Sequence, residues 1–182
     1  RLMEILTGRP GWPQVLLGRA ATVAGDASIE AAERAGAWAA WRQVVGSVSP
    51  DALIGIVERS GLRGRGGAGF PAGTKWRAAA NADRGQRYVV ANGFSADPGA
   101  HGDRILMEQD PHAVVEGVAL AAYAIGATEA TIVVNATYGT AAARLRAAIA
   151  AAEGRGLLGD GILGSSIGLT VRVRELAGSF VT

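Results

Sequence analysis

Between Arg87 and Glu175 the chain reads strand, helix, strand, helix, strand, and that order restricts its fold more than any other feature. Arg87–Asn92, which reads as a buried strand by its apolar run, and Thr131–Asn135 each end on Asn. Leu169–Glu175 alternates Leu169, Val171 and Val173 with Thr170, Arg172 and Arg174, the period-two pattern of a strand with one solvated face. The segments between them are Ala-rich and helical in period. Asp110-Pro111-His112 caps a helix to Ile125, with Val114, Val115, Val118, Ala121 and Ala122 toward the sheet, and a second helix spans Tyr138–Glu153. Strands separated in this way by helices build a parallel sheet with right-handed crossovers. The expected fold is α/β, a Rossmann-like parallel sheet with flanking helices and an N-terminal helical arm.

Residues 1–27 form that arm, and 28–182 form the domain. Ser28 caps an expected helix over Glu30–Trp41, with Ala31, Ala35, Trp38 and Trp41 on one face. Ser49-Pro50-Asp51 starts another that carries Leu53, Ile54 and Val57 to Arg59, and Gly61 ends it. A short helix is expected over Lys75–Ala82. Trp38, Trp41 and Trp76 are read as core anchors.

Hydrophobic residues make up 49% of the chain but aromatics only 5%, so Ala, Val, Leu and Gly must do most of the packing. A net charge of +2 gives no general attraction to nucleic acid. The absence of cysteine excludes disulfides, thiolate-bound zinc and any iron–sulfur cluster held by this chain's own residues. His101 and His112 are the only histidines and lack metal-ligand spacing, so no metal site is expected; His112 reads as a helix-start residue. No leader and no apolar run of membrane length is evident, and the chain reads as soluble. It opens on Arg1, which suggests a trimmed or partial chain.

One stretch carries a chemical signal: Ser60–Trp76, S-G-L-R-G-R-G-G-A-G-F-P-A-G-T-K-W, with six glycines in seventeen residues and Arg63, Arg65 and Lys75 among them. Glycines permit positive φ and close backbone approach, and the cations supply charge, so the stretch suits a phosphate or pyrophosphate. Gly64, Gly66 and Gly69 have G-x-G-x-x-G spacing, yet a helix and not a strand precedes them, so the dinucleotide fingerprint is not met. On pattern alone an anion loop and a plain glycine turn stay equally open. The helix expected to follow would set the loop at a helix N-terminus, and Asn92–Gly99 is a polar turn at a strand's carboxyl end, where open α/β sheets bind ligands. Phe70 suits either stacking on a flat ring or packing. Asp97 and Asp103 read as turn acids.

Read whole, Ser60–Trp76 resembles the flavin- and NADH-binding subunit of respiratory complex I and the diaphorase subunits of NAD-linked formate dehydrogenases and hydrogenases. Asp103-Arg104-Ile105-Leu106-Met107-Glu108, Asp110-Pro111-His112, Gly156-Leu157-Leu158-Gly159 and Ala177-Gly178-Ser179-Phe180 extend the resemblance, which covers roughly residue 28 onward. It implies an enzyme of the NADH:quinone oxidoreductase type, which passes a hydride from NADH to FMN and electrons onward to iron–sulfur centres in a partner or a further segment. Gly64, Arg65, Gly66, Gly67, Ala68, Gly69 and Phe70 would lie against the nucleotides, and Lys75 and Asn92 would hold the FMN phosphate and ribityl chain. The implied partners are other subunits of an electron-transfer complex, including an iron–sulfur protein. The implied location is cytoplasmic, or peripheral on the cytoplasmic or matrix side of a membrane complex. The family typically has Asn-Ala-Asp-Glu-Ser-Glu-Pro-Gly where this chain has Asn92–Gly99, so Phe94, Ser95 and Ala96 replace acids and a hydroxyl while Asp97 keeps one carboxylate. That departure leaves a second reading: a non-catalytic structural or assembly subunit with a decayed FMN/NADH site.

Overall fold

The computed structural model describes residues 17–178 apart from Arg84 and Pro98, so the expectations for residues 1–16 and for Ser179-Phe180 lie outside the described residues. The strands are β1 (Tyr88–Gly93), β2 (Glu129–Asn135) and β3 (Thr170–Leu176), in spatial order β1-β2-β3 and parallel throughout. Val90 pairs with Thr131 and Thr131 with Arg172. The helices are α1 (Gly18–Thr22), α2 (Ile29–Arg34), α3 (Ala39–Ser47), α4 (Pro50–Ser60), α5 (Ala72–Ala80), α6 (Gly102–Gln109), α7 (Pro111–Ile125) and α8 (Gly139–Gly154). The α/β reading is correct, and each strand lies within two residues of its expected bounds.

Alternation decides which face of the sheet is covered. Ala130, Ile132, Val134 and Val171 are at most 4% exposed and join one core with Val115, Val118, Ala119 and Ala122 of α7 and Ala141, Leu145 and Ala148 of α8. The alanines let both crossover helices approach closely. Right-handed crossovers in a simple β1-β2-β3 order set both helices on the same face. On the opposite face Arg172 and Arg174 are solvated, as the alternation predicts, but Tyr88 and Val90 are 58% and 67% exposed, so the strand expected to be buried, Arg87–Asn92, is covered on one face only.

The single helix expected over Glu30–Trp41 is two helices. Gly36 takes φ +92° after α2, and the N–H groups of Gly36 and Ala37 donate back to the Glu33 and Ala32 carbonyls, which closes the helix in a Schellman arrangement. Trp38 then adopts φ +66° with its indole buried, and its Nε1–H donates to His112 Nδ1 at 3.2 Å. The Trp41 backbone N–H, an orphan at the start of α3, donates to Glu116 Oε1 at 3.2 Å, and the Trp41 indole donates to the Leu157 carbonyl at 2.8 Å. Both tryptophans are core anchors, but only Trp41 lies in a helix, α3, while Trp38 turns the chain ahead of it. Two further corrections concern helix starts. The helix expected from Lys75 begins at Ala72, directly after Pro71, and α6 occupies a stretch for which the sequence pattern predicts no element.

The same corner clamps the arm. Arg19 of α1 sets Nε 2.7 Å from Asp110 Oδ2 and Nη1 3.6 Å from Glu116 Oε2, while Ala20 and Val23 bury against the body. Asp110 also caps α7 through the Ala113 N–H. His112 sits 1% exposed in this cluster, and burial holds its pKa below the ordinary value, with Asp110 opposing the shift. The unfolded chain takes up this proton near pH 6.5 while the folded chain resists it, so stability should fall as pH drops below about 6.5, by at most about 1.4 kcal/mol per pH unit. Urea midpoints between pH 7.5 and 5.5 should show the decline, and His112→Gln should remove it; a decline that persists in the variant would assign the titration to other groups.

Candidate functional site

Backbone hydrogen bonds shut the base of the glycine loop. Gly64 N–H donates to the Phe70 carbonyl at 2.9 Å, and Ala72 N–H donates to the Leu62 carbonyl at 2.8 Å. Arg63 Nη1 donates to the Gly69 carbonyl at 3.0 Å, so this cation is spent on the loop itself. Gly67 at φ +105° shows why the tip needs glycine. The loop leaves α4 and delivers the chain to α5, whose N-terminus follows at Ala72. Residues 61–68 are solvated, and Phe70 is 54% exposed, so its ring is not committed to packing.

One flank of the loop faces the turn after β1. Between them lies a cavity of about 470 Å³, lined by Arg65 and Gly66 from the loop, by Asn92, Phe94, Ser95, Ala96 and Asp97 from the turn, and by Asp103 from α6. The other flank, with Ser60–Arg65 and Gly69, lines a second hollow of about 540 Å³, and Arg65 borders both. The structure thus brings Arg65, Gly66, Asn92 and Asp97 together. It puts Gly64 and Gly69 on the second hollow, while Gly67, Ala68 and Phe70 line neither. Lys75, exposed on α5, borders a separate hollow with Trp76, Tyr88 and Val90.

Each wall has a local cause. Asn92 Oδ1 accepts the Phe94 N–H at 3.1 Å, an Asx turn that ends the strand and leaves the Asn92 amide group as its donor toward the cavity. The Phe94 ring lies against Gly178, two residues past β3, where a built Cβ would come within 3.2 Å of its Cζ. Ser95 holds φ +46°, and its Oγ donates to the Ala100 carbonyl at 3.2 Å. The cavity therefore offers one guanidinium and free backbone amides on the loop side, two carboxylates, Asp97 and Asp103, on the other, and an aromatic wall. A charged, flat, partly anionic ligand matches that distribution. Asp103, which the sequence pattern alone reads as a turn acid, is the lining residue contributed by α6. Nothing local marks the helix that carries it, although the turn at the carboxyl end of β1 is the available signal.

The family model described as the Nuo51 FMN-binding domain matches residues 57–182. An NADH-quinone oxidoreductase subunit of Rhizobium meliloti is 43% identical over 149 residues, which is 82% of this chain and 35% of that protein. The NADP-reducing hydrogenase subunit HndC of Solidesulfovibrio fructosivorans is 45% identical over 135 residues, 74% of this chain and 27% of that one. The crystal structure of an NAD+-reducing NiFe hydrogenase in its air-oxidised state superposes with a TM-score of 0.61 at 34% identity, covering 71% of this chain and 21% of that one. The chain thus spans about a quarter to a third of the length of these two relatives.

Proposed function

The chain belongs to the family of the Nuo51 FMN-binding domain, and from that premise we propose that it holds FMN between its glycine loop and the carboxyl end of β1, in a protein that oxidises NADH. The observation that carries this reading is the shared cavity. Its volume of about 470 Å³ falls in the usual range for small-molecule sites, and a loop cation and glycine amides face a strand end across it. Arg65 and the Gly66 backbone suit an anionic end of the ligand, Asn92 a ribityl hydroxyl, and the exposed Phe70 ring a flat base or nicotinamide. Gly64, Gly67, Ala68 and Gly69 shape the loop around them. Asp97 and Asp103 keep acceptors for polar hydrogens. Lys75, on the first turn of the helix after the loop, borders a separate hollow, and its part as a second cation for the phosphate is proposed from the family resemblance alone.

Bound FMN supplies a two-electron acceptor for the hydride of NADH and releases electrons singly. The chain's own part is to orient both nucleotides and to limit water access. With no cysteine in the chain, the outlet for electrons is an iron–sulfur centre of a partner or a further segment. The partners are other subunits of an electron-transfer complex. No helix among the described residues is long and apolar enough to cross a membrane. The proposed location is peripheral, on the cytoplasmic or matrix side of a membrane complex. Residues 28–182 serve as the nucleotide domain, and 1–27 as an arm.

The test is a flavin-fluorescence titration. The unmodified chain should quench and bind FMN, and Arg65→Ala and Lys75→Ala should each weaken binding by about 1.5–3 kcal/mol, the worth of a hydrogen bond to a charged group. A chain that takes up no flavin overturns the proposal. Unchanged affinity in either variant removes that cation from the site.

A further inference from the structure

Ser95 is the strained member of the cavity wall. A non-glycine residue at φ +46° stays there only when its surroundings hold it. Its Oγ bond to the Ala100 carbonyl is one restraint. The second comes from the turn after β2: Tyr138 Oη donates to the Ser95 carbonyl at 3.0 Å. Tyr138 is itself fixed. It is the N-cap residue of α8, its N–H donates to the Asn135 carbonyl at 2.8 Å, and Asn135 Oδ1 accepts both the Thr137 N–H at 3.0 Å and the Thr137 hydroxyl at 2.8 Å. The Arg104 guanidinium covers the Tyr138 ring at 4.9 Å from its centroid and is anchored in turn by Glu108 at 2.7 Å. Arg104 follows Asp103, which lines the cavity. The tyrosine therefore ties three elements together: the turn after β1, the start of α6 and the start of α8.

We propose that Tyr138 is a positioning residue for the nucleotide cavity, one that touches no ligand and sets the wall Phe94–Asp97 by holding the Ser95 carbonyl. This rests on the reading that the cavity takes FMN. Without the hydroxyl, Ser95 relaxes from positive φ toward the ordinary regions, and the carbonyls and side chains of the turn swing away from the positions that face Arg65. The phenyl ring alone still packs and still carries the Arg104 contact, so the change is local.

The experiment compares the protein with its Tyr138→Phe variant in two measurements. Amide hydrogen exchange over Phe94–Ala100 should rise at least about tenfold, while exchange in β2 and α7 stays unchanged, because a local restraint and not the core is lost. The FMN dissociation constant should rise about three- to tenfold, the loss expected from one ordinary hydrogen bond. Tyr88→Phe, which alters an exposed tyrosine on the open sheet face, should move neither. Exchange that is unchanged in Tyr138→Phe, or that rises equally through β2 and α7, overturns the proposal, as does an unchanged dissociation constant alongside raised local exchange. If the unmodified protein binds no FMN, the FMN reading fails, and the exchange measurement alone still decides whether Tyr138 sets the turn.

Discussion

Gly73→Ala should cost the fold about 3 kcal/mol or more, and Gly73→Val should leave little folded protein. Gly73 is buried in the first turn of α5, where that helix crosses α4. A Cβ built there would lie 2.6 Å from Glu58 Cγ, 2.7 Å from Glu58 N and 2.8 Å from Glu58 Cα. The Glu58 side chain can swing aside, but its backbone N and Cα cannot move unless α4 moves with them. Overpacking of a tight contact usually costs about 1–3 kcal/mol, and a clash with rigid backbone belongs at or beyond the upper end. The damage extends past the helix pair. Arg77 of α5 bridges Glu58 at 2.9 Å and also pairs with Asp51, so these links between the two helices must stretch or break. The glycine loop is slung between the same helices, with its base closed by Leu62, Gly64, Phe70 and Ala72. Parting α4 from α5 opens that base. Urea denaturation and FMN titration on Gly73→Ala should therefore show joint losses. A midpoint equal to that of the unmodified chain would mean that the helices slide apart at no cost.

Gly73 also shows where sequence pattern stops being informative. The stretch Ser60–Trp76 stands out as one glycine-rich unit because its composition is unusual over a short window. Composition does not separate a glycine kept for positive φ, such as Gly67, from one kept for helix packing, such as Gly73; only the position of Glu58 does. The sheet is legible because the alternation in Leu169–Glu175 and the apolar runs ahead of it are local signals. The break between α2 and α3 is not, since the helical period of Ala31, Ala35, Trp38 and Trp41 runs straight through it. What ends α2 is Gly36 at positive φ, and what starts α3 is held from a distance by His112 and Glu116. Asp103 is read as a turn acid and not as a helical residue of the cavity for a related reason: α6 is short, has no side-chain cap and lies between two turn signals. The opposite case is Asn92, whose place at the end of an apolar run announces a turn at a strand's carboxyl end. The cavity needs both kinds of information, a loop visible by composition and a wall set by contacts between the turns after β1 and β2.

Gly66→Val should abolish measurable nucleotide binding, by on the order of a hundredfold or more in dissociation constant, while leaving stability within about 0.5 kcal/mol of the unmodified chain. The two halves of this expectation have separate causes. Gly66 is absent from the positive-φ residues, it is solvated, and a Cβ built on it meets nothing within 4 Å. Valine is therefore accepted by the fold. Gly66 nevertheless lines the cavity beside Arg65, so its new methyl groups occupy the space through which an anion must reach the loop amides. Losing two hydrogen bonds to a charged group, at about 1.5–3 kcal/mol each, accounts for the hundredfold figure. Gly67→Val is the informative contrast. At φ +105° valine is strained wherever its side chain points, so that variant should lose loop order with or without ligand. Loss of binding in both variants would thus arise by different routes, separable by thermal melts without nucleotide: unmoved for Gly66→Val and lowered for Gly67→Val. Normal FMN affinity in Gly66→Val would show that no ligand approaches the loop backbone there, and the stretch would be a glycine turn and no more.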